Sequence, residues 1–325
     1  KMETPPSPTG VQARNLGPML QSQDQPEQRH HVHAVQPANF QNNDMANKHP
    51  DVYPADFIKA GNELTHLGKE QSKPALIILN QPIADTRVLG RLWNHTSYRF
   101  VLMVVQINFT ISSNKMIQRS STNMKTTCDS SSHRLICDES IQLPNIIHGD
   151  LDSLRQDVRD HYKSRGVDVT EDPDQYSTDF GKAIKQVLRE QPCQRNFLVL
   201  GTIAGRLDQG IGLLSEIYRE QHSEQHPNIR FWLFSESSIS FTLAPGTTTI
   251  HTPLAGKVIT PNIGILPIFG PAHISTSGLE WDVEDWHTQM GGQVSTSNHI
   301  VKDQVTISTD VEVLFTVERR KSVAG

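Results

Sequence analysis

The chain has 325 residues, room for two domains of ordinary size. Its net charge of -5 and pI near 6.3 exclude a nucleic-acid protein that works by bulk positive charge. Three cysteines, Cys128, Cys137 and Cys193, with no CxxC pair, exclude a disulfide framework and argue against a structural zinc site.

Residues 1–70 are rich in Pro, Gln, Asn and His and show no sustained periodicity. Such a stretch buries too little apolar surface to offset its ordering entropy, so a disordered, low-complexity segment is expected. The HHVH run at 30–33 reads as a solvated polar tract ahead of a metal site. No apolar h-region opens the chain, and the longest apolar run, FVLMVVQI at 100–107, is too short to span a bilayer. A cytoplasmic protein with no membrane association is expected.

Order is expected from KPALIILNQPI (73–83), where a short apolar run bounded by prolines predicts a strand buried on both faces. Residues 87–94 predict a short helix, and the stretch from Tyr98 begins with strand character before turning Ser/Thr/Asn-rich. NIIHGD (145–150) predicts another strand. After it Leu151, Leu154, Val158 and Tyr162 recur at helical spacing, and Gly166 offers a stop. Residues 167–190 give strand, loop and helix, and 196–220 give strand, glycine-containing turn and helix. Alternating strands and helices over 71–227 predict an α/β domain with a doubly wound, mainly parallel sheet. From 228 to 325 short strands broken by Gly and Pro predict an all-β, sandwich-like domain; GKVITPN and IGILPIF read as two of them.

In an open parallel sheet, ligands bind at the carboxyl ends of the strands. Three acidic loops fall there: one with Asp150 and Asp152, one with Asp172, Asp174 and Asp179, and one with Arg206 and Asp208. If 150–152 is extended, the two carboxylates face one point and would repel unless a cation such as Mg2+ lies between them. The alternative is that Asp152 with Ser153 caps the following helix. The absence of GxxxxGK[ST] and of GxGxxG after the first strand excludes a P-loop protein and disfavours a dinucleotide oxidoreductase.

GDLDSLR, DPDQYSTDFGKA, GTIAGRLDQGIGLL, GPAHISTSGLEWDV and GGQVSTSN occur in this order. Together they resemble the thiamine pyrophosphokinase family, most like its fungal form, over about 73–99 and 127–317. The resemblance implies transfer of the pyrophosphoryl group of ATP to the hydroxyl of thiamine, giving thiamine diphosphate and AMP. It also implies Mg2+ and a homodimer with active sites at the subunit interface. By resemblance Asp150, Asp152 and Asp179 are the catalytic and metal-site carboxylates. Asp129, Gln175, Lys182, Arg206 and Asp208 belong to the nucleotide site, and Ser277, Trp281, Ser295 and Asn298 to the thiamine pocket. The implied mechanism is in-line attack of the thiamine hydroxyl on the β-phosphorus.

The sequence departs from the family at several points. Serines follow Asp129 where glycines are usual, Thr202 and Ala204 replace glycine, and Ala244 replaces arginine. Residues 100–126 read as an insertion, either an extra strand with a surface loop or sequence from a misplaced gene boundary. The departures at 130–133 and 202–204 leave a second reading, a catalytically weak sensor that binds thiamine or its diphosphate. A third is an interaction protein that keeps only the architecture; the retained aspartates and Trp281 argue against it.

Overall fold

The computed structural model describes residues 48–59, 73–81, 83–102, 143–149, 156–171, 177–203 and 205–321. Six parallel strands build the first half: β1 (Ala75–Ile78), β2 (Tyr98–Leu102), β3 (Ile146–Gly149), β4 (Asp168–Glu171), β5 (Asn196–Leu200) and β6 (Arg230–Phe234), in spatial order β6-β5-β1-β2-β3-β4. Both faces of this sheet are covered, so β1 is apolar throughout and at most 1% exposed. Leu76 and Ile78 face the core shared with α1 (Thr86–His95). Ala75 and Ile77 face the opposite core, shared with α3 (Asp179–Glu190) and α4 (Leu207–Gln221). Helix α2 (Gln156–Lys163) ends at Gly166, whose φ of +79° lets Gly166 N and Val167 N bond back to Lys163 O and Tyr162 O at 3.1 Å each.

The sheet does not stop at β6. Antiparallel pairing of Phe234 with Ile239 adds β7 (Ser238–Leu243), then β14 (Val313–Arg319), β9 (Ile259–Leu266) and β12 (Ser295–His299), ten strands among the described residues. A second, antiparallel sheet packs over this end: β11 (Trp286–Thr288), β10 (Ala272–Ser277), β13 (Gln304–Thr309) and β8 (Gly246–His251). The architecture is therefore the expected α/β half followed by a mostly-β half, but β6, expected in the all-β domain, belongs to the parallel array and is the strand where parallel pairing gives way to antiparallel.

Three expectations need correction. Residues 48–59, inside the stretch read as a polar tail, form a strap across β8. His49 N and Val52 N donate to Thr247 O and Thr249 O at 2.9 Å, and His251 N donates to Val52 O at 2.8 Å. The strap ends in a 3-10 turn (Pro54–Ile58) that sets Phe57 edge-on to Trp232 at 4.7 Å, and Val52, Ala55, Phe57 and Ile58 are all buried. Second, Phe100, Val101 and Leu102 are not inserted sequence. They complete β2, paired to β1 on one side and β3 on the other, and Phe100 is fully buried. The remainder of 100–126 lies outside the described residues. Third, GKVITPN and IGILPIF contribute to one strand, β9. Among the described residues no helix is long and apolar enough to cross a membrane.

Candidate functional site

The chain runs β1-β2-β3-β4 to one side of β1 and then returns to place β5 and β6 on the other. The carboxyl ends of β1 and β5 thus flank the point where strand order reverses, the usual ligand crevice of such sheets. The turn after β5 is unusual. Gly201, Ile203 and Gly205 have φ of +87°, +52° and +76°. The glycines also make room: a Cβ on Gly201 would lie 3.2 Å from Gln81 Cβ, and one on Gly205 3.0 Å from Gln81 Oε1. Ile203 is β-branched and 46% exposed, so its left-handed backbone is strain that the surroundings impose, and such strain clusters at functional sites. Thr202 is buried, so its side chain does not fill the open side of the turn.

The turn leads into α4 through Arg206, its N-cap. Arg206 Nε and Nη2 donate to Asp208 Oδ1 and Oδ2 at 3.1 and 2.5 Å, a bidentate pair on the surface. Those bonds hold the Asp208 carboxyl below its ordinary pKa. The Asp208 and Gln209 N–H groups of the α4 first turn also bond this carboxylate, so the helix N-terminus holds an anion of its own chain.

Helix α3 presents Asp179 in its exposed first turn and Lys182, half-buried, one turn on. Its cap, Thr178 Oγ1, accepts from Gly181 N at 3.1 Å and donates to Glu216 Oε2 of α4. Glu216 is buried, and Arg219 Nη2 lies 3.5 Å from its Oε1. The turn that bears Asp179 is thereby tied to the helix that follows Arg206. Asp129, Asp150, Asp152, Asp172, Asp174, Gln175 and Ala204 lie outside the described residues; Asp150 follows directly on Gly149, the last residue of β3. Among the described residues no three His, Cys, Asp or Glu side chains are grouped to hold a metal.

In the mostly-β half an open groove of about 440 Å³ is lined by Ile265, Ile274, Thr276, Trp281, Trp286, Ser295 and Asn298. Trp281 is 55% exposed, so it is not a core tryptophan. The turn before it needs glycine: a Cβ on Gly278, φ +99°, would lie 2.4 Å from Gln304 O. The structure brings Trp281, Ser295 and Asn298 to this groove, whereas Ser277 lines a separate shallow depression with Lys302, Asp303, Gln304 and Thr306. Sequence reasoning missed Trp286, whose Nε1 donates to Gln293 Oε1 at 3.1 Å. A second tryptophan five residues after Trp281 was the available signal.

Two family models match the chain: thiamin pyrophosphokinase, catalytic domain, over residues 117–230, and thiamin pyrophosphokinase, vitamin B1 binding domain, over 247–314. The first match begins inside the stretch read as an insertion. The chain is 33% identical over 189 residues to thiamine pyrophosphokinase 2 of Arabidopsis thaliana, spanning 55% of this chain and 67% of that protein. It is 32% identical over 185 residues to thiamine pyrophosphokinase 1 of the same plant, with the same coverage of each. The solved structure of thiamin pyrophosphokinase from Candida albicans superposes with a TM-score of 0.62 at 21% identity, covering 88% of this chain and 97% of that one, a likeness of fold.

Proposed function

Because the chain belongs to the thiamine pyrophosphokinase family, we propose that the crevice beside β1 and β5 and the groove beside Trp281 are the two substrate sites of one reaction. ATP gives its pyrophosphoryl group to the hydroxyl of thiamine, and thiamine diphosphate and AMP leave. The observation that carries this reading is the exposed Trp281 over a groove with apolar walls. A flat, cationic ring system covers such a face favourably through the ring quadrupole. Plant relatives near 32% identity support the family, and the fungal branch rests on the order of the motifs alone.

The roles follow from residue chemistry. Arg206, steered by its bidentate bonds to Asp208, and Lys182, one turn into α3, offset the charge of the polyphosphate and the charge that develops on the leaving phosphate. Asp129 and Gln175 complete the nucleotide site, and Ser295 and Asn298 join Trp281 in the thiamine pocket, while Ser277 lies in the neighbouring depression. Asp150, Asp152 and Asp179 are hard, all-oxygen donors, a set that fits Mg2+; held there, the ion would add its double positive charge beside the phosphates. One of these carboxylates orients or deprotonates the attacking hydroxyl. Trp281, in the turn after β10, and Asp179, in the first turn of α3, stand in different layers of the fold, which supports a homodimer in which each active site draws on both subunits. A cytoplasmic location goes with this reading. The sensor alternative loses one support, because Thr202 is buried and Gly201 and Gly205 keep the left-handed conformations of the turn.

The test is a product assay with ATP, thiamine and Mg2+. AMP and thiamine diphosphate are expected; ADP with thiamine monophosphate would overturn the reaction class. Asp150→Asn and Asp152→Asn should each lower turnover by about a hundredfold or more. Thiamine bound without turnover would instead select the sensor.

A further inference from the structure

Asn298 stands in the groove read above as the thiamine pocket, yet its polar atoms are turned to the chain itself. Its Oδ1 accepts from Trp281 N at 3.2 Å and from His299 N at 2.8 Å, and its Nδ2 donates to Trp281 O at 2.8 Å. The residue is only 7% exposed. On the other side of Trp281, Asp282 does the same for the preceding turn. Its Oδ1 accepts from Leu279 N at 3.0 Å and Thr276 Oγ1 at 3.1 Å, and its Oδ2 accepts from Gly278 N at 3.0 Å. Thr276 Oγ1 in turn accepts from Val283 N at 3.0 Å.

The backbone of Trp281 is thus gripped by Asn298 and the turn before it by Asp282, while the Trp281 ring, more than half exposed, is not fixed by burial. We propose that Asn298 and Asp282 are positioning residues: they aim the Trp281 indole over the groove, and Asn298 acts on the ligand through Trp281 and does not contact it. The benefit is preorganisation. A large aromatic side chain on a loose turn must be ordered when the ligand arrives, and that ordering subtracts from affinity. A turn locked by backbone bonds bears this loss at folding.

This inference rests on the groove being the thiamine pocket, and a double-mutant cycle on the full-length protein separates the two claims. Thiamine affinity is measured by NMR titration, extended to millimolar ligand, for the wild type, Asn298→Ala, Trp281→Ala and the double variant; KM for ATP is measured alongside. Misplaced contact groups weaken binding by about ten- to a hundredfold, so Asn298→Ala should raise the thiamine Kd by that order and leave KM for ATP unchanged. In the Trp281→Ala background the same substitution should change Kd by less than about twofold, because the residue it serves is gone. An equal loss in both backgrounds would overturn the proposal and make Asn298 a direct contact. Trp281→Ala with wild-type affinity would instead sink the assignment of the groove. If Asn298→Ala does not fold, Asp282→Ala, at an exposed position, carries the same cycle with the same two deciding outcomes.

Discussion

Arg319, near the end of the last strand, holds Asp85, the N-cap of α1, across 234 residues of sequence. Its Nη1 donates to Asp85 Oδ2 at 2.8 Å and its Nε to Ser235 O at 2.9 Å. Asp85 Oδ1 meanwhile accepts from Arg87 N and Val88 N, both at 3.2 Å. One carboxylate therefore caps a helix of the α/β half and anchors a strand of the mostly-β half. The Arg319 side chain is 3% exposed and that of Asp85 16%.

Removing one partner of such a pair leaves the other charge buried and unmatched. Arg319→Ala should destabilise the fold by about 3–5 kcal/mol in urea denaturation. Arg319→Met combined with Asp85→Asn should recover much of that loss, since no bare charge remains. A loss under about 1 kcal/mol for Arg319→Ala would show that water reaches the pair and that it is a surface interaction.

Deleting 100–126 would be harmless, and would even raise solubility, if the whole stretch were an insertion. The structure predicts the opposite. Phe100, Val101 and Leu102 hydrogen-bond within a six-strand parallel array between β1 and β3, and their loss would separate β3 and β4 from the rest of the sheet. The deletion variant should fail to give a cooperative thermal transition. A soluble variant with a wild-type melting profile would refute the central place of β2.

What the sequence disclosed follows a physical division. The central strands β1 and β5 are near-continuous apolar runs because they are buried on both faces, so ALII and NFLVL announce themselves. The strap was hidden because its few apolar residues, Val52, Phe57 and Ile58, are outweighed by polar neighbours when composition is averaged over seventy residues. Strand β9 was split by its punctuation. Pro261 lies beside a register shift between Val317 and Arg319, and its carbonyl accepts from Ile300 N at 2.9 Å. Gly264 sits where a Cβ would come within 3.2 Å of Ser295 O and 3.1 Å of Thr316 Cγ2, so glycine there permits close strand approach. At the site, Arg206 and Asp208 were readable as an acidic loop after a strand. Trp281 needed its flanking motif, and the turning of Asn298 towards the Trp281 peptide is a tertiary fact with no local signature.

His95, in the last turn of α1, should make stability fall in mild acid. It is 1% exposed, and burial, with Lys73 and Arg91 nearby, pushes its pKa below the ordinary value of 6.5; the Lys59 backbone and Asp56 oppose this more weakly. The folded state therefore binds the proton less readily than the unfolded state. The stabilisation is complete above pH 6.5 and is lost as the pH drops from there towards the folded-state pKa. Comparing His95→Leu with the wild type isolates this residue from the other histidines. Melting temperatures taken from pH ~7.5 to ~5.5 should fall less steeply in the variant, whatever its own baseline, and parallel curves would exclude the effect.

Gly278 offers the sharpest test of the turn that carries Trp281. Two separate features require glycine: φ is +99°, and a Cβ would meet Gln304 O at 2.4 Å, with Val305 Cα 3.3 Å away. Both neighbours are backbone of β13, a strand paired to β10 and β8, so they cannot yield by a change of rotamer. The turn itself must move in Gly278→Ala, and it does so at the point where Asp282 Oδ2 accepts from Gly278 N. Strain of this kind costs about 1–3 kcal/mol, so the melting temperature should drop while the protein still folds. The displacement is passed to Trp281, three residues on, and not to the crevice beside β5. KM for thiamine should therefore rise by about tenfold or more while KM for ATP stays within a factor of about two. Equal increases for both substrates would mean that the variant loosens the fold as a whole, and an unchanged KM for thiamine would mean that the turn does not set the position of the ring.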